Sequence, residues 1–112
     1  MCLKSKWAGY ICVLSTAPDI SEAERIADTL VSEKLVACVN LVSGVKSIYW
    51  WKNRVQHEEE IMMVMKTRRK YLHRLENRIK ELHSYEVPEI IALNIFRGSK
   101  EYLNWIYSSV NP

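Results

Sequence analysis

The sequence predicts an α+β protein that is organised around one long β-hairpin. Three observations support this class. β-branched and aromatic residues fill much of residues 36–67, which turn at a polar tip over residues 52–54. Other apolar runs of strand length lie before and after this segment. Between the runs, apolar residues recur at the spacing of an amphipathic helix.

The first strand and first helix are expected at the start of the chain. Residues 9–15 enclose the run Tyr-Ile-Cys-Val-Leu, which is typical of a strand buried on both faces. A polar break follows, and Asp19 and Ser21 are both candidate helix N-caps, because a glutamate follows each of them by three residues. We expect this helix to end near residues 33–34.

The hairpin is expected to need a covering partner. An isolated glycine in its first arm, Gly44, predicts a β-bulge together with Ser43. Its second arm ends in the apolar run 61–65, which predicts a central strand. An isolated two-stranded ribbon is only marginally stable in water. We therefore expect other copies of the same chain to pack against it.

The remaining elements complete a recognisable order. A second helix is expected over residues 68–83, a strand over residues 89–95, and a last helix capped by Ser99. The order β-α-β-β-α-β-α is the ferredoxin-like split βαβ arrangement with an extra C-terminal helix. Right-handed crossovers place both main helices on one face of the sheet. Three of the four strands lack polar alternation, so we expect a neighbouring subunit to cover the other face.

The composition limits the class of protein. The 112 residues predict a single domain, residues 1–112, and the net charge of +3 is too small to indicate nucleic acid binding. Three cysteines without a close pair exclude a disulfide framework and suit a reducing compartment. No apolar run reaches membrane-spanning length. We therefore expect a cytoplasmic protein with no membrane or nucleic acid partner.

Five short motifs stand out along the chain. They are Ala-Cys-Val-Asn (37–40), Ser-Ile-Tyr-Trp-Trp (47–51), Lys-Thr (66–67), His-Ser-Tyr-Glu-Val-Pro-Glu-Ile (83–90) and Tyr-Leu-Asn-Trp-Ile (102–106). Together they resemble the motifs of the CutA family, proteins associated with tolerance of divalent cations. The match covers nearly the whole chain, with Asn53 where the family usually has glycine and Ser84 where it has proline. The resemblance implies a ferredoxin-like fold and a tight homotrimer similar to the P-II nitrogen regulators, with hairpins paired across subunits.

The loop that carries His83, Glu86 and Glu89 is a candidate metal site. An imidazole and carboxylates close together can bind a borderline divalent cation. The alternative is structural: His83 meets the dipole of a helix end, and the glutamates form hydrogen bonds between subunits. Cys38 could add a soft thiolate that suits copper or zinc, and the resemblance associates this cysteine with copper. Both Cys38 and Cys12 could instead pack as small apolar residues.

A second candidate site is a ligand cleft between subunits. Residues 66–70, Lys-Thr-Arg-Arg-Lys, are expected at a helix start, where free N–H groups and basic side chains could hold a phosphate or carboxylate. The alternative is a solvated basic turn. In the functional interpretation, a small anionic metabolite is held by Lys66, Thr67, Tyr85 and Glu86.

The hairpin offers two further candidate segments. Tyr49, Trp50 and Trp51 could stack on nucleic acid bases, although a role as interface anchors is favoured, and Tyr49 and Trp51 are assigned to the ligand cleft. Residues 57–60, His-Glu-Glu-Glu, could bind cations loosely, although a solvated strand start is favoured.

The functional expectation follows from these sites. The sequence has no nucleophile beside a base, no glycine-rich phosphate loop and no closed zinc motif, so we do not expect an enzyme. We expect a homotrimer that binds a divalent cation, copper before others, in cation tolerance. A P-II-like signalling trimer with a small anionic ligand is the alternative. A stable scaffold for another protein is the third hypothesis.

Overall fold

A four-stranded antiparallel sheet organises the chain in the computed structural model, which describes residues 9–112. The strand order is β2-β3-β1-β4, so β1 and β3 are central, and the α+β, ferredoxin-like arrangement with a C-terminal helix is confirmed. Cys2 lies outside the described residues. The elements are β1 (Tyr10–Ala17), α1 (Ile20–Ser32), β2 (Cys38–Trp51), β3 (Arg54–Arg68), a 3-10 turn (Arg69–Tyr71), α2 (Leu72–Leu82), β4 (Ile91–Asn94) and α3 (Lys100–Ser109).

Side-chain caps fix the starts of two helices. The Asp19 carboxylate accepts a hydrogen bond from the Glu22 N–H at 2.8 Å, so Asp19 is the N-cap of α1 and Ser21 is not. The Ser99 hydroxyl accepts from the Tyr102 N–H at 3.2 Å and caps α3 as predicted. Each cap satisfies one of the N–H groups that the first helical turn leaves unpaired.

The predicted start of the second helix is wrong. The antiparallel ladder between β1 and β3 continues to the pair Tyr10–Arg68, and α2 begins only at Leu72. Lys66 and Thr67 are therefore strand residues, and they do not offer the free N–H groups of a helix start. The last strand is also shorter than predicted, because β1 pairs with β4 only over Ile91–Asn94.

The hairpin turns as its sequence predicts. Lys52 and Asn53 have positive φ angles of 51° and 63°, which is the backbone of a type I′ turn. Asn53 tolerates this left-handed conformation better than most residues, so the absence of the usual glycine does not prevent the turn. The strand register shifts between Val42 and Val45, and Gly44 has a φ angle of 76°, which confirms the predicted bulge.

The main core lies between one face of the sheet and the helices α1 and α2. Successive strand residues point to opposite faces, and the odd-numbered residues of β1 and β3 point to these helices. A smaller cluster packs Tyr10 against α3. The most buried apolar members of the main core are Ile11, Val13, Ile26, Leu30, Met63, Met65, Leu75 and Ile79.

The opposite face of the sheet is apolar but partly open to solvent in the single chain. Cys12, Leu14, Met62 and Val64 are half-buried there, and Leu93 is 49% exposed. This surface fits the expectation that a second subunit covers the sheet, which stays a prediction. Within residues 9–112, no helix is long and apolar enough to cross a membrane.

Candidate functional site

A cavity of about 900 Å³ opens between the hairpin and the loop that joins α2 to β4. Tyr49 and Trp51 of β2 and Glu58 and Glu60 of β3 form one wall. Residues 84–89 form the other wall. Rings and carboxylates from distant parts of the sequence therefore face the same space.

The bulge in β2 places the two aromatic rings in this cavity. Between Val42 and Val45, β2 has one residue more than the segment of β3 that it faces. Side chains alternate between the two faces of a sheet along a strand. Before the bulge, the even-numbered residues of β2 lie on the face that carries Glu58 and Glu60; beyond the bulge, the odd-numbered residues lie on that face. Tyr49 and Trp51 thus face it, whereas their neighbour Trp50 alternates to the other side and is 72% exposed.

Hydrogen bonds hold the loop wall against β1 and α1. The N–H and the hydroxyl of Ser84 both donate to Glu22 Oε2 at 2.9 Å. His83 Nδ1 accepts from the Tyr85 N–H at 3.0 Å, so its Nε2 carries the proton and donates to the Thr16 carbonyl at 2.6 Å. Both ring nitrogens are therefore used. His83 is buried and positions the loop.

The carboxylates of the cavity act on two tyrosines that line it. The Tyr85 hydroxyl donates to Glu60 Oε2 at 2.7 Å. Burial raises the pKa of Tyr85 well above its ordinary value, and the hydrogen bond and charge of Glu60 raise it further. Loss of contact with water also raises the pKa of Tyr49, and the charges of Glu58 and Glu60 raise it further. Negative charge near a phenol disfavours its ionised form.

The charge balance of the lining favours a cation. Among residues 9–112, four carboxylates line the cavity, from Glu58, Glu60, Glu86 and Glu89, and Lys52 is the one basic residue on its wall. This negative region lies on a chain whose net charge is +3. A small cation gains from such a field, and an anion is repelled.

The four predicted metal ligands do not converge in one chain. Glu86 and Glu89 line the cavity, while His83 lies behind the loop with both nitrogens bonded. Cys38 lies at the base of β2, where its sulfur is 4.0 Å from Lys66 Nζ. Across residues 9–112, no group of three or more His, Cys, Asp or Glu side chains is arranged to hold a metal ion.

The predicted ligand cleft is divided between two places. Tyr49, Trp51 and Tyr85 all line the cavity. Lys66 lies instead beside Cys38 and donates to the Asn40 side chain, and buried Thr67 donates its hydroxyl to the Leu35 carbonyl at 2.7 Å. Within one chain, Lys66 and Thr67 therefore cannot contribute to a ligand held by the three rings.

Glu60 is the main site residue that sequence patterns miss. The sequence favours a solvated strand start for residues 57–60, yet Glu60 is only 5% exposed. The alternation of Glu58 and Glu60 along one face carries the signal. It becomes informative only when Tyr85, distant in sequence, is known to pack on that face.

The chain matches one family model and several curated relatives. The model for the CutA1 divalent ion tolerance protein matches residues 11–109. A divalent-cation tolerance protein CutA from Thermus thermophilus is 46% identical over 94 residues, which is 84% of this chain and 91% of that protein. The chloroplastic CutA 1 of Oryza sativa is 43% identical over 99 residues, covering 88% of this chain and 56% of that protein. The chloroplastic CutA of Arabidopsis thaliana is 41% identical over 105 residues, covering 94% of this chain and 58% of that protein. The chain thus spans less than two thirds of the length of both plant relatives.

Solved structures show the same fold at high similarity. CutA from Xylella fastidiosa superposes with a TM-score of 0.90 at 35% identity, over 93% of this chain and all of that chain. CutA1 from Oryza sativa gives a TM-score of 0.90 at 41% identity, over 93% of this chain and 95% of that chain. A further match, from Archaeoglobus fulgidus, is described as periplasmic, with a TM-score of 0.88 at 40% identity over 91% of this chain and 99% of that chain. From the family model and these identities, this chain belongs to the CutA1 divalent ion tolerance protein family.

Proposed function

We propose that the chain forms a homotrimer that binds divalent cations, with copper as the first metal to test, and that this binding contributes to cation tolerance without catalysis. The observation that carries the proposal is the acidic cavity, which four carboxylates and one lysine of the described residues line. Carboxylate oxygens bind divalent cations readily, and a field of one sign concentrates them. The names of the family and of its relatives point to the same class of ligand.

A trimer would explain two features of the single chain. The apolar sheet face that carries Met62, Val64 and Leu93 needs a cover, and a neighbouring subunit can supply one. Within residues 9–112 of one chain, the carboxylates are also too dispersed to form a metal site alone. A neighbour's side chains would complete the coordination between subunits, and Cys38 or His83 could take part only there.

Calorimetric titration with Cu²⁺ and Zn²⁺ tests the metal, and sedimentation tests the trimer. We expect saturable binding that weakens in the variant Glu86→Gln/Glu89→Gln. Glu59→Gln is the matched control, because Glu59 lies on the same hairpin but alternates away from the cavity. Cys38→Ala and His83→Ala test the remaining predicted ligands. Absence of saturable metal binding, or a monomeric folded particle, would contradict the proposal.

A small anionic metabolite is the alternative ligand for the same cleft. Lys52 is the lining group that favours it, and the four carboxylates oppose it. Titration with inorganic phosphate and with citrate separates the two ligand classes. Saturable binding of either anion, lost in Lys52→Gln, would replace the cation proposal.

We also propose that the protein acts in the reducing cytoplasm. Cys12 and Cys38 are free thiols that lie on the sheet without a disulfide partner among the described residues. Cell fractionation followed by thiol alkylation tests this, and recovery of the chain from an oxidising compartment would contradict it.

A further inference from the structure

We propose that the cavity binds linear organic polyammonium ions, which are compounds with two or more protonated amines separated by methylene chains. The inference rests on the proposed role of the cavity as a cation site, and it names a ligand class beyond metal ions. It follows from the size of the cavity, the distribution of its charges, and the aromatic rings on its wall.

The size and the charge distribution suit an extended cation. A volume of about 900 Å³ matches a pocket for a small organic ligand and greatly exceeds what one metal ion needs. The carboxylates lie on two walls, with Glu58 and Glu60 on β3 and Glu86 and Glu89 on the loop. Among residues 9–112, no three acidic or other ligating groups converge as a metal requires. Separate positive charges on one flexible molecule could reach both walls.

The cavity wall also carries aromatic rings and apolar surface, which a metal ion would not contact. Tyr49, Trp51 and Tyr85 line the same cavity, and the faces of such rings attract ammonium groups. Val87 and Pro88 add apolar surface to the loop wall, against which methylene groups can pack. A ligand with alternating ammonium and methylene groups therefore matches the lining better than a hydrated metal ion does.

Glu60 marks where one ammonium group would bind. Its side chain is nine-tenths buried and lines the cavity, and it accepts one hydrogen bond from the Tyr85 hydroxyl. Within the described part of the chain it forms no ion pair with a lysine or arginine. A buried carboxylate without a cationic partner is costly, and a ligand ammonium would supply that partner.

The overall charge of the protein argues against unspecific attraction. The chain has a net charge of +3, so it repels polycations as a whole. Saturable binding of a polyammonium ion would therefore report the local field of the cavity.

Calorimetric titration of the full chain with spermidine tests the proposal, with 1,6-hexanediol as an uncharged comparison. We expect saturable spermidine binding and none of the diol. Trp51→Leu should weaken binding roughly three- to thirtyfold, which is the loss expected for one cation–π contact. Glu58→Gln/Glu86→Gln, with one change on each wall, should weaken it about tenfold or more. Glu59→Gln, which removes the same charge outside the cavity, should leave the affinity unchanged.

The outcomes separate this inference from the proposed function. Copper binding without spermidine binding would overturn the inference and leave the metal proposal standing. Spermidine binding without copper binding would support the inference and remove the metal. Equal losses in Glu59→Gln and Glu58→Gln/Glu86→Gln would overturn the inference, because they would show attraction by charge alone. Tyr49→Leu replaces Trp51→Leu if circular dichroism shows that the latter does not fold, and unchanged spermidine affinity in both ring variants would also overturn it.

Discussion

Replacing Thr67 by valine should destabilise the protein without affecting cation binding. The Thr67 side chain is fully buried, and its hydroxyl donates to the Leu35 carbonyl at 2.7 Å. Valine has nearly the same shape and suits a strand, so the change removes the hydrogen bond with little effect on packing. It leaves the Leu35 carbonyl without the threonine donor.

The magnitude follows from that unpaired carbonyl. Removing one partner of a buried hydrogen bond costs about 1–3 kcal/mol in the free energy of unfolding. With an unfolding entropy of about 2.1 cal/mol/K per residue over 112 residues, this lowers the melting temperature by roughly 4–13 °C. The protein concentration must be the same in all samples, because association shifts the midpoint.

Urea denaturation and spermidine titration of the same samples check this prediction. Thr29→Val is the matched control, because the Thr29 hydroxyl also donates to a backbone carbonyl, that of Arg25 at 2.8 Å, but at an exposed site. We expect it to change the stability by less than about 0.5 kcal/mol. A Thr67→Val protein with wild-type stability would refute the structural role of this hydroxyl. A folded Thr67→Val protein that binds spermidine more weakly than the wild type would refute its separation from the cavity.

Three further predictions concern the bulge, the core and a thiol. Gly44→Ala should cost about 1–2 kcal/mol, because Gly44 has a φ angle of 76° and no atom within 4 Å that would obstruct a Cβ; urea denaturation beside Ser43→Ala checks this, and equal effects would contradict it. Met63→Ala should cost about 2–5 kcal/mol, since Met63 is fully buried in the main core, and a loss below about 1 kcal/mol in the same assay would argue against that packing. Burial raises the pKa of the Cys12 thiol, with Lys66 opposing the shift, so the native thiol should be less ionised than a free cysteine at the same alkaline pH. The free energy of unfolding should therefore fall as the pH rises above the thiol pKa of the unfolded chain. In a Cys2→Ser/Cys38→Ser background, the alkylation rate of Cys12 in the folded chain should keep rising with pH after that of the unfolded chain has levelled off. Identical pH profiles for the folded and unfolded chains would contradict the shift.

Local signals predicted the order of the elements well. Asp19 and Ser99 are caps whose chemistry acts within one helical turn, and Gly44 marks a backbone conformation that few other residues adopt. The start of α2 was misplaced because pairing with β1 extends the strand through Arg68. Pairing between distant segments overrides the local preference of a basic stretch.

The site was only partly predictable, for a similar reason. Tyr49, Trp51 and Tyr85 were assigned to one cleft, and the structure brings them to one cavity. Glu60 lies beside them for two reasons. The bulge in β2 brings odd-numbered residues of β2 to the side of Glu60, and the loop after α2 places Tyr85 within hydrogen-bond distance of it. His83 has the side chain of a metal ligand, but its two hydrogen bonds depend on the packing of β1, which no local pattern reveals.

The far half of the hairpin lines the cavity but does not join the main core. β2 and β3 contain 14 and 15 residues, and at roughly 3.3 Å per residue they are nearly as long as the 50 Å molecule. The apolar residues packed in the two core clusters stop at Leu41 on the first arm and resume at Ile61 on the second. Substitutions along this arm can therefore change the lining of the cavity while the folded base stays intact. Members of one family could diverge in ligand preference by a few substitutions there, without first acquiring compensating changes elsewhere.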